Sequence, residues 1–152
     1  MSFEFAAPRI LVVDDDHSIR QLLCTIIRRE GFEVDTACDG RDAISKLNGR
    51  DYAVILLDLM MPNVNGFEVI EHLKANPRLL KPVVLVISAY TDQAFRDVDP
   101  EIVSGVLRKP FEVADIAGLV RHCVLGFEDQ IPQSAGTLAW QKSGGENESL
   151  PN

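Results

Sequence analysis

The feature that most constrains the fold is an unbroken apolar run, Ala53–Leu57, which ends in Asp58 and is followed by Pro62. A short run that is apolar on both faces is typical of a central strand in a parallel sheet with helices on both sides. A buried helix is the other structure that such a run can form, but the acid and the proline end it too soon. Asp58 is therefore predicted at the carboxyl end of a strand, where ligands bind in open α/β sheets.

Strand and helix patterns alternate through the rest of the chain and predict an α/β fold with a doubly wound parallel sheet. Five helices are expected, of which the fourth, near Thr91, is short or irregular because Asp99–Pro100 interrupts it and leaves Glu101–Ser104 as a loop. Alternating acids in the second strand predict a sheet edge. The predicted strands are Arg9–Val13, Phe32–Thr36, Val54–Leu57, Val83–Ile87 and Gly105–Leu107.

The chain divides into one domain and two flanking segments. Residues 9–126 carry the strand and helix patterns, and residues 1–8 form an N-terminal extension. Residues 127–152 are rich in Ser, Gly, Gln and Asn and are predicted to be a disordered tail or the stub of a linker.

Composition excludes several classes of protein. Hydrophobic residues make up 46% and charged residues 25% of the chain, which is typical of a globular domain. No apolar run approaches the ~20 residues that span a membrane, and the first residues lack the pattern of a signal peptide, so a cytoplasmic protein without a membrane partner is expected. The net charge of −8 argues against direct nucleic-acid binding.

Polar side chains follow four of the five predicted strands, and in a parallel sheet these ends lie at one edge. Three of them are carboxylates, whose charged forms repel unless a cation joins them, and oxygen ligands of this kind suit Mg²⁺. A lysine amine and a serine hydroxyl can bind an anion beside them. This set favours a phosphoryl group on Asp58, with Asp58 as the nucleophile. The strand-end residues are Asp14, Asp15, Asp58, Ser88 and Lys109.

Four motifs in this order resemble those of response-regulator receiver domains of two-component signalling, of the chemotaxis-regulator type. The resemblance extends from about Arg9 to Leu125 and implies a flavodoxin-like fold with strand order 2-1-3-4-5. The motifs are Ile10–Asp16, Leu56–Gly66, Val86–Ala89 and Leu107–Phe111.

This resemblance implies that Asp58 accepts a phosphoryl group from a sensor histidine kinase or a phosphotransfer protein, with Ser88 and Lys109 assisting. It implies that Asp15, Asp58 and the backbone carbonyl of Met60 bind Mg²⁺ directly, and that Asp14 binds it through water. The Lys109–Pro110 bond resembles a family bond that is often cis. The chain is then not an enzyme, apart from slow self-dephosphorylation, and signals by contact with an unknown downstream protein.

One position departs from the family pattern and leaves the output mechanism open. Val106 stands where the family usually has Tyr or Phe, a ring that swings inward on activation. Valine cannot do this. The departure keeps a second hypothesis in view, a receiver-like module that binds a partner without phosphorylation.

A third hypothesis is a phosphatase of the haloacid-dehalogenase type. These enzymes place a nucleophilic Asp in an Asp-x-Asp pattern, which Asp14 and Asp16 satisfy. The residues that follow, His17–Ser18, lack the usual Gly-Thr, and Asp58 would have no role. Asp16 is more simply interpreted as the cap of the following helix.

Overall fold

The structure is a computed structural model that describes residues 8–61, 65–79, 82–89, 96–125 and 139–140. The strands are β1 Arg9–Val13, β2 Glu33–Ala37, β3 Val54–Asp58, β4 Val83–Ser88, β5 Val103–Arg108 and β6 Ala139–Trp140. The helices are α1 His17–Arg29, α2 Gly40–Gly49, α3 Gly66–Ala75 and α4 Val113–Leu125, with a 3₁₀ turn at Pro77–Leu79.

The first five strands are parallel and lie in the order β2-β1-β3-β4-β5. This confirms the predicted flavodoxin-like sheet, including the position of β2 at an edge. Beyond β5, Ala139 and Trp140 pair antiparallel with Val106 and Gly105. They place two residues of the predicted tail in the sheet.

Alternate residues of the central strands face two separate cores. Leu57 and Val86 belong to the core on the α2 and α3 side, whereas Leu56 and Ile87 belong to the core on the α1 and α4 side. All four side chains are buried. Each such residue contributes about 1.5–3 kcal/mol through the apolar surface it removes from water. Burial on both faces explains why these strands are apolar without alternation.

Side-chain caps determine where three helices begin. The Asp16 carboxylate accepts hydrogen bonds from the backbone N–H groups of Ser18 and Ile19, which confirms the predicted cap of α1. Asn65 and Glu68 form a reciprocal capping box at the start of α3. Asp39 caps α2 by accepting from the N–H of Asp42.

The segment before β5 differs from its predicted course. The expectation that Val103 and Ser104 lie in a loop is wrong, because β5 begins at Val103, which pairs with Val84. A register shift between Val84 and Leu85 allows this early pairing and buries Val103. The fourth helix is predicted over Thr91–Val98, and residues 91–95 of it lie outside the described residues.

Candidate functional site

The carboxyl ends of four neighbouring strands bring the predicted site residues to one edge of the sheet. Asp14 directly follows β1, Asp58 ends β3, Ser88 ends β4 and Lys109 directly follows β5. Because β3 lies between β1 and β4, Asp58 occupies the centre of this edge. The N–H of Asp14 donates to the carbonyl of Ala37 at 3.2 Å, so Asp14 continues the pairing of β1 with β2.

Three carboxylates converge at this edge. Ligand oxygens of Asp14, Asp15 and Asp58 all lie within 4.8 Å of one another. Asp14 and Asp58 are buried, whereas Asp15 is exposed to solvent. The group is therefore partly closed by protein and open on one side. Together with Lys109, we call these residues the strand-end cluster.

The ammonium of Lys109 lies between the two buried carboxylates. Its Nζ is 2.8 Å from Asp14 Oδ2 and 3.4 Å from Asp58 Oδ2. Burial opposes the charged form of Lys109, but the hydrogen bond to Asp14 and the charges of both aspartates outweigh it and raise the pKa of the amine. The amine therefore stays charged and partly offsets two of the three carboxylates.

The charge of the buried Asp58 carboxylate is only partly compensated. Burial is the main cause that raises its pKa from 3.8 to about 6, and the neighbouring Asp14 adds to this rise. The charge of Lys109 and the N–H of Met60, which donates to Asp58 Oδ1 at 3.2 Å, oppose the shift. One ammonium is therefore too little to balance the site, and a second cation would favour ionisation of Asp58.

Ser88 follows Ile87, which pairs with Asp58 across the sheet, and Met60 donates its N–H to Asp58. Ser88 is fully buried, and its backbone carbonyl accepts a hydrogen bond from the N–H of Lys109 at 3.0 Å. Two predicted site residues are thus joined through their backbones. Met60 is half-exposed and lies two residues after Asp58. The Lys109–Pro110 peptide bond is cis, as the resemblance implied.

Sequence reasoning missed two contributors to this site. Arg20, on α1, donates from Nη1 to the backbone carbonyl of Asp14 at 2.7 Å and thereby ties the helix to the acidic loop. Gly66 lies so close to β3 that an added Cβ would be 2.4 Å from the carbonyl oxygen of Asp58. The placement of glycine directly before an apolar helical stripe was the available signal, and it indicated only a loop.

The donor set fits a hard divalent cation. Three carboxylates that share a small volume, one of them reachable from solvent, supply the oxygen ligands that Mg²⁺ prefers while it keeps several waters. No cluster of thiols or imidazoles accompanies them among the described residues. The chemistry of the ligands therefore agrees with the Mg²⁺ prediction.

Comparison with known proteins agrees with the resemblance to receiver domains seen in the sequence. Residues 10–121 match the family described as the response regulator receiver domain. The DNA-binding response regulator MtrA of Mycolicibacterium smegmatis is 35% identical over 125 residues, which are 80% of this chain and 53% of that protein. The chain thus spans about half the length of this curated relative.

Two solved structures resemble the fold closely. The chemotaxis response regulator CheY4 of Vibrio cholerae aligns with a TM-score of 0.70 and 28% identity, over 78% of this chain and 99% of that one. The response regulator TrrA of Thermotoga maritima, solved in complex with Mg²⁺–BeF, aligns with a TM-score of 0.68 and 29% identity, over 76% and 98% of the two chains.

Within the described residues, none of the helices has the length and apolarity needed to cross a membrane.

Proposed function

Because this chain belongs to the response regulator receiver family, we propose that it accepts a phosphoryl group on Asp58 from a sensor histidine kinase or a phosphotransfer protein. The observation that carries the proposal is the position of Asp58. Its buried carboxylate lies at the centre of the sheet edge, 3.4 Å from the Lys109 ammonium and beside two further carboxylates. A nucleophile, a cation for the phosphoryl charge and ligands for a metal ion are thus together.

The reaction is a transfer between two side chains. A carboxylate oxygen of Asp58 forms a bond to phosphorus while the bond from phosphorus to the imidazole nitrogen of the donor breaks. The electron pair leaves with the nitrogen, which then takes a proton from solvent. Asp58 must be ionised to attack, so the raised pKa of its carboxyl opposes the reaction until a cation joins the site.

Mg²⁺, when bound directly by Asp15, Asp58 and the carbonyl of Met60 and through water by Asp14, would supply positive charge for the carboxylates and for the phosphoryl oxygens. The complex of the TrrA relative with Mg²⁺–BeF supports this assignment. In the chain itself, Lys109 orients a phosphoryl oxygen by charge, and the Ser88 hydroxyl donates to another.

Signalling then proceeds by contact with another protein rather than by turnover of a substrate, with slow self-dephosphorylation as the only reaction. Asp16 gives no support to the phosphatase hypothesis, because its carboxylate caps α1. The MtrA relative is a DNA-binding protein by name, and this chain spans about half of it. The downstream partner of the receiver is therefore proposed to be a protein, or a further domain, that contacts its surface.

Incubation with acetyl phosphate, with and without Mg²⁺, tests the proposal by intact-mass measurement. Wild type is expected to gain the mass of one phosphoryl group only with Mg²⁺, and Asp58→Asn is expected to gain none. Asp51→Asn is the matched control, since Asp51 is exposed and precedes β3 at the opposite end. Equal labelling of wild type and Asp58→Asn would overturn the assignment of the acceptor.

A further inference from the structure

The two outer strands of the parallel sheet, β2 and β5, differ in how their open sides are protected from pairing with other strands. An edge strand presents unpaired N–H and C=O groups that invite another strand, and charged side chains are a common protection. On β2, the exposed Glu33 and the half-buried Asp35 alternate with Val34 and Thr36. The Lys46 ammonium also donates to the backbone carbonyl of Thr36. Side chains thus protect this edge.

The β5 edge has no such protection of its own. From Val103 to Leu107 the strand carries no charge, and all five residues are buried. Gly105, at its middle, has no side chain to hinder the approach of another backbone. Charge appears only at Arg108, the last residue of the strand. This edge would therefore be the more prone of the two to strand addition.

A segment of the same chain pairs with this edge at its least protected point. Ala139 lies opposite Val106, and Trp140 lies opposite Gly105, in an antiparallel register. In the sequence, Thr137 and Trp140 belong to residue types that favour strands, and the stretches 134–136 and 143–145 on either side are rich in Ser and Gly. A strand-forming patch in the same chain as β5 can pair with that strand as a tethered segment.

We propose that the β5 edge is a strand-accepting interaction surface and that the segment Ala139–Trp140 occupies it in cis. In this position the segment closes the edge against a second copy of the chain. A two-residue strand has few hydrogen bonds, so it is weakly held in itself. The tether offsets this weakness, because it keeps the segment at a high effective concentration beside β5.

The test uses the full chain with the double substitution Ala139→Pro/Trp140→Pro. Proline has no N–H to donate and is excluded from paired strand positions. Since successive N–H groups point to opposite sides of a strand, replacing both residues removes whichever one donates to β5. The matched control is Ser143→Pro/Gly144→Pro, which places the same residues beyond the paired segment.

Two measurements decide the outcome. Amide hydrogen exchange is expected to become about tenfold faster or more in the β5 amides that point away from β4, and to stay unchanged in the control. Light scattering after size exclusion is expected to show wild type as a monomer and the double variant as a dimer at high concentration.

Unchanged exchange across residues 103–107 of the double variant would overturn the proposal, whatever its oligomeric state. A wild-type dimer that the double variant abolishes would also overturn it, because the segment would then pair in trans with a second copy. Loss of phosphoryl labelling is not a readout of this test, so its result is independent of the function proposed for Asp58.

Discussion

Two groups of charged side chains in this domain shift the pKa of an aspartate in opposite directions. The first is the strand-end cluster around Asp58. The second, which we call the edge cluster, lies on β1, β2 and the segment before β3. Its members are Arg9, Glu33, Asp35, Arg50 and Tyr52.

In the edge cluster, two arginines balance two acids. Asp35 accepts from Arg9 at 2.9 Å and from the Tyr52 hydroxyl at 2.8 Å, and Arg50 is 3.3 Å away. Burial opposes ionisation of Asp35, but the Tyr52 hydrogen bond and the charges of Arg9 and Arg50 outweigh it and lower its pKa. These interactions favour the charged form, as in a structural ion pair.

In the strand-end cluster, one ammonium faces three carboxylates, and the pKa of Asp58 is raised to about 6. The comparison teaches that the presence of several acids does not by itself mark a functional site, because both groups contain them. What distinguishes the functional site is a buried carboxylate whose charge is incompletely balanced, so that a bound cation can complete the balance. Four substitutions test this contrast.

The largest effect is expected from Gly66→Ala, which tests whether the strand-end cluster depends on its backbone. The added Cβ would be 2.4 Å from the carbonyl oxygen of Asp58 and 2.7 Å from the Cα of Leu59, so the backbone beside the acceptor must move. The free energy of unfolding is expected to fall by about 3 kcal/mol, measured by urea denaturation. Gly49→Ala, where nothing lies within 4 Å of the new Cβ, is the control. Equal stability of the two variants would show that the loop adapts freely.

The second prediction is that Asp58→Asn stabilises the metal-free domain at neutral pH. The folded pKa of about 6 exceeds the ordinary value of 3.8, so ionisation of Asp58 costs stability. This cost is absent below about pH 3.8, grows as the pH rises, and is complete above about pH 6. The variant is therefore expected to be about 2 kcal/mol more stable at pH 8 and nearly unchanged at pH 4.

Urea denaturation in the presence of a chelator, at both pH values, measures this difference. Addition of Mg²⁺ at pH 8 is expected to stabilise wild type more than the variant and so to narrow the gap. A destabilised Asp58→Asn at pH 8 would show that Lys109 already balances the acceptor, contrary to the contrast drawn here.

The third prediction is that Asp35→Asn has the opposite sign. The lowered pKa of Asp35 means that its charge contributes stability above the ordinary pKa of 3.8, and that this stability is lost as the pH falls. The amide keeps an acceptor for Tyr52 but loses the attraction to Arg9. We expect a loss of about 1 kcal/mol at pH 7, measured by urea denaturation and shrinking below pH 4. Asp51→Asn, at an exposed site, controls for the change of charge alone.

The smallest effect is expected from Arg50→Ala. The side chain of Arg50 is half-exposed, and exposed ion pairs contribute little because water and salt screen them. The free energy of unfolding, measured by thermal or urea denaturation, is expected to fall by about 0.3 kcal/mol, and by less at high salt. A loss as large as that of Asp35→Asn would assign the stability of the edge cluster to Arg50 rather than to Arg9 and Tyr52.

Much of the domain could be predicted from local patterns in the sequence. The order of the five parallel strands and of the four described helices, the cap at Asp16 and the strand-end positions of Asp14, Asp58 and Ser88 are confirmed. These features depend on apolar periodicity and on short-range hydrogen bonds, both of which operate within a few residues. The beginning of β5 could not be predicted, because Val103 is placed by its pairing with β4 rather than by its neighbours in the chain.

The balance of charge was decided by tertiary structure alone. Sequence patterns brought Lys109 to the right edge of the sheet, but only the packing of strands far apart in the chain places its amine closer to Asp14 than to Asp58. Tertiary packing also places the Tyr52 hydroxyl beside the Asp35 carboxylate, and it places Trp140 opposite Gly105. Coulomb energies and burial change over a few ångströms. Distances on this scale are set by how strands far apart in the sequence pack together, and local sequence patterns do not determine that packing.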